Sequence, residues 1–266
     1  MPANRLTLFA KGNLDLRDTL HSLRLGGALA WNGVGEVVRA RFPDWSIRVR
    51  HETLTRTDAL LAATGEPPEE LVGRGLDLGA YPPESQFSRA FFETDADAFL
   101  LSLQSDVTTT LRRRRGTGWL LYPEGLATWS GADQTWLEAA FDRDGPLTVE
   151  ASMAALEAIV ARRRAISAAP ILIYNLSPFV PGEWLHAHQG LEDILSTRIR
   201  RYNLGLIELS QRTGISIVDV EAVLARAGAE RLKLDALHLS AEGCRLVAEE
   251  VVRVLEDLGL FDGAPA

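Results

Sequence analysis

Five short apolar runs, interspersed with segments of helical spacing, constrain this chain more than any other feature. The runs lie at 6–10, 46–50, 98–103, 171–174 and 215–218. Several are almost continuously apolar, as strands buried on both faces of a parallel sheet must be. Between them the spacing predicts helices over 27–42, 148–167, 191–211 and 241–258. Leu29, Val34, Val37, Val38 and Phe42 mark the first of these, and Val247, Val251, Val254, Leu255 and Leu258 the last. Strands that alternate with helices predict an α/β fold, a three-layer α/β/α sandwich around a five-stranded parallel sheet. Ligands of such sheets bind beyond the carboxyl ends of the strands.

Two regions break the alternation. Residues 65–85 hold four prolines and four glycines and read as a long loop. Residues 116–146 hold Trp119, Tyr122, Trp129 and Trp136 between polar pieces. They read as an insertion within one domain spanning 1–266, either a cover over a binding site or, the preferred reading, a helix pair packed through its tryptophans.

The balance of residues excludes several classes. A hydrophobic content of 46% supplies a full core for one domain of this length. A formal net charge of −8 argues against nucleic acid, whose phosphates demand clustered Lys and Arg. The run Arg112–Arg115 is the local exception and reads as a solvated helix end, with an anionic ligand site as the alternative. The single cysteine, Cys244, allows no intrachain disulfide and reads as a packing residue. No signal peptide or membrane-length apolar run is visible, so a cytoplasmic protein without a membrane partner is expected. The oligomeric state is not legible.

The stretch most suggestive of chemistry is Lys233-Leu-Asp235-Ala-Leu-His238-Leu-Ser-Ala-Glu-Gly243, just before the last helix. An Asp three residues before a His, in a loop, can orient the imidazole and stabilise its charged form. Ser240 is placed to cap the helix that follows. This block resembles the final block of the SGNH/GDSL hydrolases, in which Asp-x-x-His supplies two of three catalytic residues. The resemblance implies a flavodoxin-like sheet, an ester or thioester of a small molecule as substrate, and no cofactor. It casts His238 as general base and Asp235 as its orienter.

The other family blocks depart from the pattern. The family's first strand ends in Gly-Asp-Ser, whereas here Gly12-Asn13-Leu14-Asp15 follows the strand. Counted from the strand, the serine position falls on Leu14. Counted from the downstream helix and Trp31, Asp18-Thr19-Leu20 takes the Asp-Ser-Leu position, behind a loop about five residues longer. Thr19 is then the leading nucleophile, with Ser22 second. The family glycine after the second strand is absent from His51-Glu52-Thr53, and its Gly-x-Asn-Asp becomes Leu103-Gln104-Ser105-Asp106. Asn13 and Ser105, with Gln104 as an alternative, become the oxyanion donors. Asp15, Asp18, Asp106 and His188 complete the substrate-binding set.

Two alternatives stand beside the hydrolase or acyltransferase. One is an SGNH-fold protein that binds a ligand without hydrolysis, favoured by the altered blocks. The other is a metal-dependent enzyme using Asp15, Asp18, His21 and His188, with His51, Glu52 and His186 nearby. No known metal-ligand spacing is matched, and solvated loop histidines are the preferred reading.

Overall fold

The computed structural model describes residues 4–183 and 194–262. Ten strands are formed in them: β1 (Asn4–Lys11), β2 (Ser22–Leu25), β3 (Ala28–Asn32), β4 (Trp45–Glu52), β5 (Ala98–Ser102), β6 (Leu111–Arg114), β7 (Leu120–Leu121), β8 (Phe141–Asp144), β9 (Ile171–Tyr174) and β10 (Ser216–Val218). The helices before β5 are α1 (Leu14–Leu20), α2 (Val34–Arg41), α3 (Thr57–Ala62) and the single turns α4 (Glu69–Val72), α5 (Pro83–Gln86) and α6 (Ala90–Glu93). After it come α7 (Gln104–Thr108), α8 (Gly131–Ala140), α9 (Val149–Arg164), α10 (Leu195–Thr213), α11 (Val220–Ala227), α12 (Ala229–Leu232) and α13 (Ala241–Asp257).

The five expected strands form one parallel sheet in the order β10-β9-β5-β1-β4. Side chains alternate across it, as the two-residue period of a strand requires. Leu6, Leu8 and Ala10 of β1 join Ala98, Leu100, Leu172 and Tyr174 under α1, α2, α11 and α13. Phe9 joins Phe99, Leu101, Ile171 and Ile173 under α3, α6, α9 and α10. Both faces are therefore covered, and the runs needed no polar alternation. The order places β1 beside β5 although β4 precedes β5 in the chain. That reversal opens a crevice at the carboxyl ends of β1 and β5.

Three expectations are corrected. The first helix does not begin near residue 27. Residues 22–32 form the antiparallel hairpin β2–β3, and α2 starts only at Val34. Gly26 and Gly27, at φ of 56° and 84°, make the two-residue turn, which needs left-handed backbone at both positions. The tryptophan-rich region is not a helix pair. It is the antiparallel sheet β7-β6-β8 with α8, packed through Trp129, Leu137 and Phe141 onto Leu71 and Leu78 of the proline-rich segment and Phe87 just after it. Trp119 and Trp136 meet Phe141 edge to face at 4.9 and 5.0 Å.

The arginine run is not a helix end either. It continues through β6, and each guanidinium has its own carboxylate: Arg112 with Glu138, Arg113 with Asp144, Arg114 with Glu70 and Arg115 with Asp142. These pairs leave little cationic field for an anion. Among the described residues no helix is long and apolar enough to cross a membrane.

Candidate active site

The carboxyl ends of β1, β4 and β5 converge on a cleft of about 690 Å³, within the usual range for small-molecule sites. Asn13, Leu14 and Arg17 line it after β1, His51 and Thr53 at the end of β4, and Gln104 and Thr108 after β5. Tyr81 from the proline-rich segment and Tyr122 and Glu124 from the insertion line it too. Leu237, between Asp235 and His238, brings the last loop to the same cleft.

That loop is held by its own hydrogen bonds. Lys233 and Leu239 bridge across it, and Ser240 caps α13 by accepting the Gly243 N–H at 3.2 Å. Asp235 Oδ1 accepts the N–H groups of Leu237 and His238, each at 2.8 Å. Its Oδ2 lies 2.7 Å from His238 Nδ1. Burial works against the Asp235 charge. The His238 and Leu237 N–H groups and the imidazole outweigh it and hold the carboxyl down at about 2. An ionised Asp235 keeps the ring proton on Nδ1 and leaves Nε2 as the basic atom.

The first turn is short. Helix α1 begins at Leu14, directly after Gly12 and Asn13, so the longer loop that would carry Thr19 to the nucleophile position does not exist. Gly12 permits this, because a Cβ there would collide with the Leu16 side chain. Leu14, on which the count from the strand places the serine position, opens α1 and lines the cleft. Thr19 lies one turn deeper at 1% exposure, and its hydroxyl donates to the Asp15 carbonyl at 2.7 Å. Ser22 begins the β2–β3 hairpin.

Asn13 accepts the Leu54 N–H through Oδ1 at 3.2 Å, which turns its Nδ2 to the other side. Ser105 is 1% exposed and absent from the cleft lining, whereas Gln104 lies on it. Asp106 is not at the cleft. It is fully buried and accepts from the Thr57 N–H and hydroxyl and from the Ser152 hydroxyl. Burial pushes its pKa up to about 6 despite these bonds. Asp18 is tied to Arg17 at 2.9 Å.

The proposed metal set does not assemble. Asp15 turns inward to the Ser102 hydroxyl, and His21 stacks on His51 with centroids 5.4 Å apart. Burial pulls His51 down to about 4, so its neutral ring donates Nε2–H to the Gly12 carbonyl at 3.0 Å. His186 and His188 lie outside the described residues. Among the described residues no three His, Cys, Asp or Glu side chains are grouped to hold a metal.

Behind the cleft lies an inner cavity that shares Gln104, Thr108 and Leu237 with it. Asp15, Tyr174, Asn175 and Lys233 line it between apolar walls. Asp15 Oδ1, Gln104 Oε1 and the Tyr174 hydroxyl are buried without a hydrogen-bond partner among the described residues. Tyr174 and Lys233 were not singled out by the sequence, although each sits next to a readable feature: the end of a strand and the Asp-x-x-His block.

No protein-family model and no curated protein matches the chain. Solved structures do. An acetylxylan esterase from Geobacillus stearothermophilus, Axe2, superposes with a TM-score of 0.51 at 14% identity over 95% of both chains. A member of the lipolytic G-D-S-L family from Veillonella parvula superposes with a TM-score of 0.50 at 11% identity, over 96% of this chain and 99% of its own. With its sheet order, its Asp-x-x-His loop and these likenesses, the chain has the fold of the SGNH/GDSL hydrolases.

Proposed function

We propose that the cleft transfers the acyl group of a small-molecule ester or thioester, to water or to an acceptor hydroxyl, by direct general-base catalysis. One observation carries this reading: an Asp235–His238 pair at 2.7 Å in the loop whose Leu237 lines the same cleft as Leu14, the first residue of α1. His238 Nε2 takes the proton of the attacking hydroxyl, which adds to the acyl carbon. The tetrahedral oxyanion then collapses and expels the alcohol or thiol, which recovers that proton from the imidazolium. Asn13 Nδ2 and the Gln104 amide are the available oxyanion donors, each worth about 3 kcal/mol where well aimed. Thr19 has no covalent part, because its hydroxyl is engaged within α1.

The second reading is ligand binding without turnover. It is favoured by the loss of the serine, of the family glycine at the end of β4 and of the family asparagine after β5. A fluorophosphonate probe and an ester and thioester panel separate the two. Direct base catalysis predicts turnover without probe labelling, and a loss of about 100- to 10,000-fold in His238→Ala. Asp235→Asn should lose less, and Thr19→Ala almost nothing. Leu14→Ser should gain probe labelling, since it puts a hydroxyl into the cleft that Leu237 of the last loop also lines. Labelling of the wild type that Thr19→Ala removes would overturn direct catalysis. Silence across the panel, with ligand binding intact, would favour the second reading.

A further inference from the structure

Two residues of the cleft lining, Tyr81 and Tyr122, come from the two irregular regions of the chain and meet ring to ring. Their centroids lie 4.6 Å apart at an interplanar angle of 67°, the edge-to-face arrangement that aromatic quadrupoles favour. Both side chains are half-buried. Beneath them Gln86, at 6% exposure, ties the two backbones together. Its Nε2 donates to the Tyr81 carbonyl at 2.7 Å and to the Tyr122 carbonyl at 3.0 Å, and its Oε1 accepts the Tyr122 N–H at 2.8 Å. One amide thus spends both of its N–H donors and an acceptor on the two tyrosines. The turn that carries Gln86, α5, is itself fixed to the sheet. The Lys11 amine at the end of β1 donates to the Ser85 carbonyl at 3.1 Å, and the hydroxyls of Ser85 and Thr53, the residue after β4, share a hydrogen bond of 2.9 Å. Position therefore passes from the strand ends through α5 to both rings.

The surroundings say what such a wall suits. The cleft, at about 690 Å³, has room for a ring beside the reacting bond. Its charges balance. Arg17 is tied to Asp18 at 2.9 Å, Glu124 is the carboxylate on the lining, and His51 is neutral. An anion would meet Glu124 and a cation Arg17, whereas a neutral group meets neither penalty. Burial pushes both tyrosine hydroxyls up, so both rings are neutral phenols across the physiological range. An aromatic ring set against such a pair gains the same quadrupole contact that joins the two tyrosines. A saturated ring or an aliphatic chain of equal size does not.

We propose that the Tyr81–Tyr122 pair is the subsite for the aryl ring of a neutral substrate, and that Gln86 is the residue that positions it. The subsite deepens the acyl-transfer reading of the cleft and rests on that reading for what is done to the ligand. Recognition itself is read by binding, without turnover. Gln86 touches no reacting atom. It acts through the backbones of the two tyrosines, which set where their rings can stand.

Benzyl alcohol, cyclohexylmethanol and 1-heptanol have the same number of carbons and a single hydroxyl each. Their binding to the full-length protein is compared by ligand-observed NMR titration. The expected result is that benzyl alcohol binds roughly two- to tenfold tighter than cyclohexylmethanol, the increment of an aromatic pair over equal area. Tyr81→Leu and Tyr122→Leu, which keep apolar bulk, should each remove that preference. Gln86→Leu should reduce it with both tyrosines present. Should that variant fail to fold, Gln86→Glu keeps the acceptor for the Tyr122 N–H, loses both donors and should reduce the preference too. The ratio of the two affinities is the readout, because a general loosening of the fold lowers both together. An unchanged ratio in a folded Gln86 variant would remove its positioning role. Benzyl alcohol binding no tighter than cyclohexylmethanol, or 1-heptanol binding best, would overturn the subsite without reference to any variant. A wild type that prefers benzyl alcohol but turns over no ester would keep the subsite and sink the acyl-transfer reading, and turnover without the preference would do the reverse.

Discussion

Asp106 shows how a single residue can be read correctly as special and wrongly as a ligand. It holds the position of the family aspartate after the third strand of the parallel sheet, but its oxygens are taken by Thr57 and Ser152, which clamps α7 to α3 and α9. Its pKa is raised to about 6, chiefly by burial. A folded-state pKa above the unfolded value means that the native state binds the proton more tightly. The associated stability is fully present below about pH 4 and is lost as pH rises through about 6, by roughly 3 kcal/mol. Urea melts at pH 4 and pH 7.5 should show that contribution in the wild type. Asp106→Asn, neutral at both values, should show a flatter dependence. An equal slope in the two proteins would exclude Asp106 as its source. Asp235 is the opposite case at the other end of the site, held at about 2 so that its charge persists wherever His238 can act as a base.

At the scale of elements, local signals were legible where one residue settles the backbone. Ser240 was readable as a helix cap, and its side chain does accept the Gly243 N–H. Ser240→Ala should cost about 1 kcal/mol in urea melts. The cap sits at the base of the Asp235–His238 loop, so any activity should fall with it, while His238→Ala should leave stability nearly unchanged. The β2–β3 hairpin was missed because Leu29 fits a helical period as well as a strand, and only the paired left-handed glycines decide between them. The β1–α1 junction was ambiguous for a related reason. Spacing from Trp31 favoured Thr19, but α1 starts as soon as Gly12 lets it pack against the strand end.

The whole molecule is a covered parallel sheet with a smaller unit beside the cleft at its carboxyl edge. The arginine pairs of β6 and the Trp–Phe contacts hold that unit together, and Tyr122 and Glu124 reach the cleft from it. Phe141 is the hub, at 1% exposure between Trp119 and Trp136. Phe141→Ala should cost about 3–5 kcal/mol of local stability. Limited proteolysis should then cut within residues 111–144 while the fragments of the main sheet survive. Simultaneous loss of the sheet would show that the unit cannot open by itself.

The sequence by itself determined the five strands, their burial on both faces, the helices α9, α10 and α13 and the Asp-x-x-His loop. Each of these is written as a run or a period of neighbouring residues, which is the scale on which side-chain direction repeats along a backbone. Only the tertiary structure decided which residues share the cleft with Leu237 of that loop. Leu14, Gln104 and Tyr122 are far apart in the chain and meet through the crossing of β4 and β5 around β1. The same holds for Asp15, Tyr174 and Lys233, gathered from α1, the end of β9 and the residue after α12 around one cavity. No local period encodes such a meeting, because it depends on the order of strands in the sheet and on the volume that the core leaves between them.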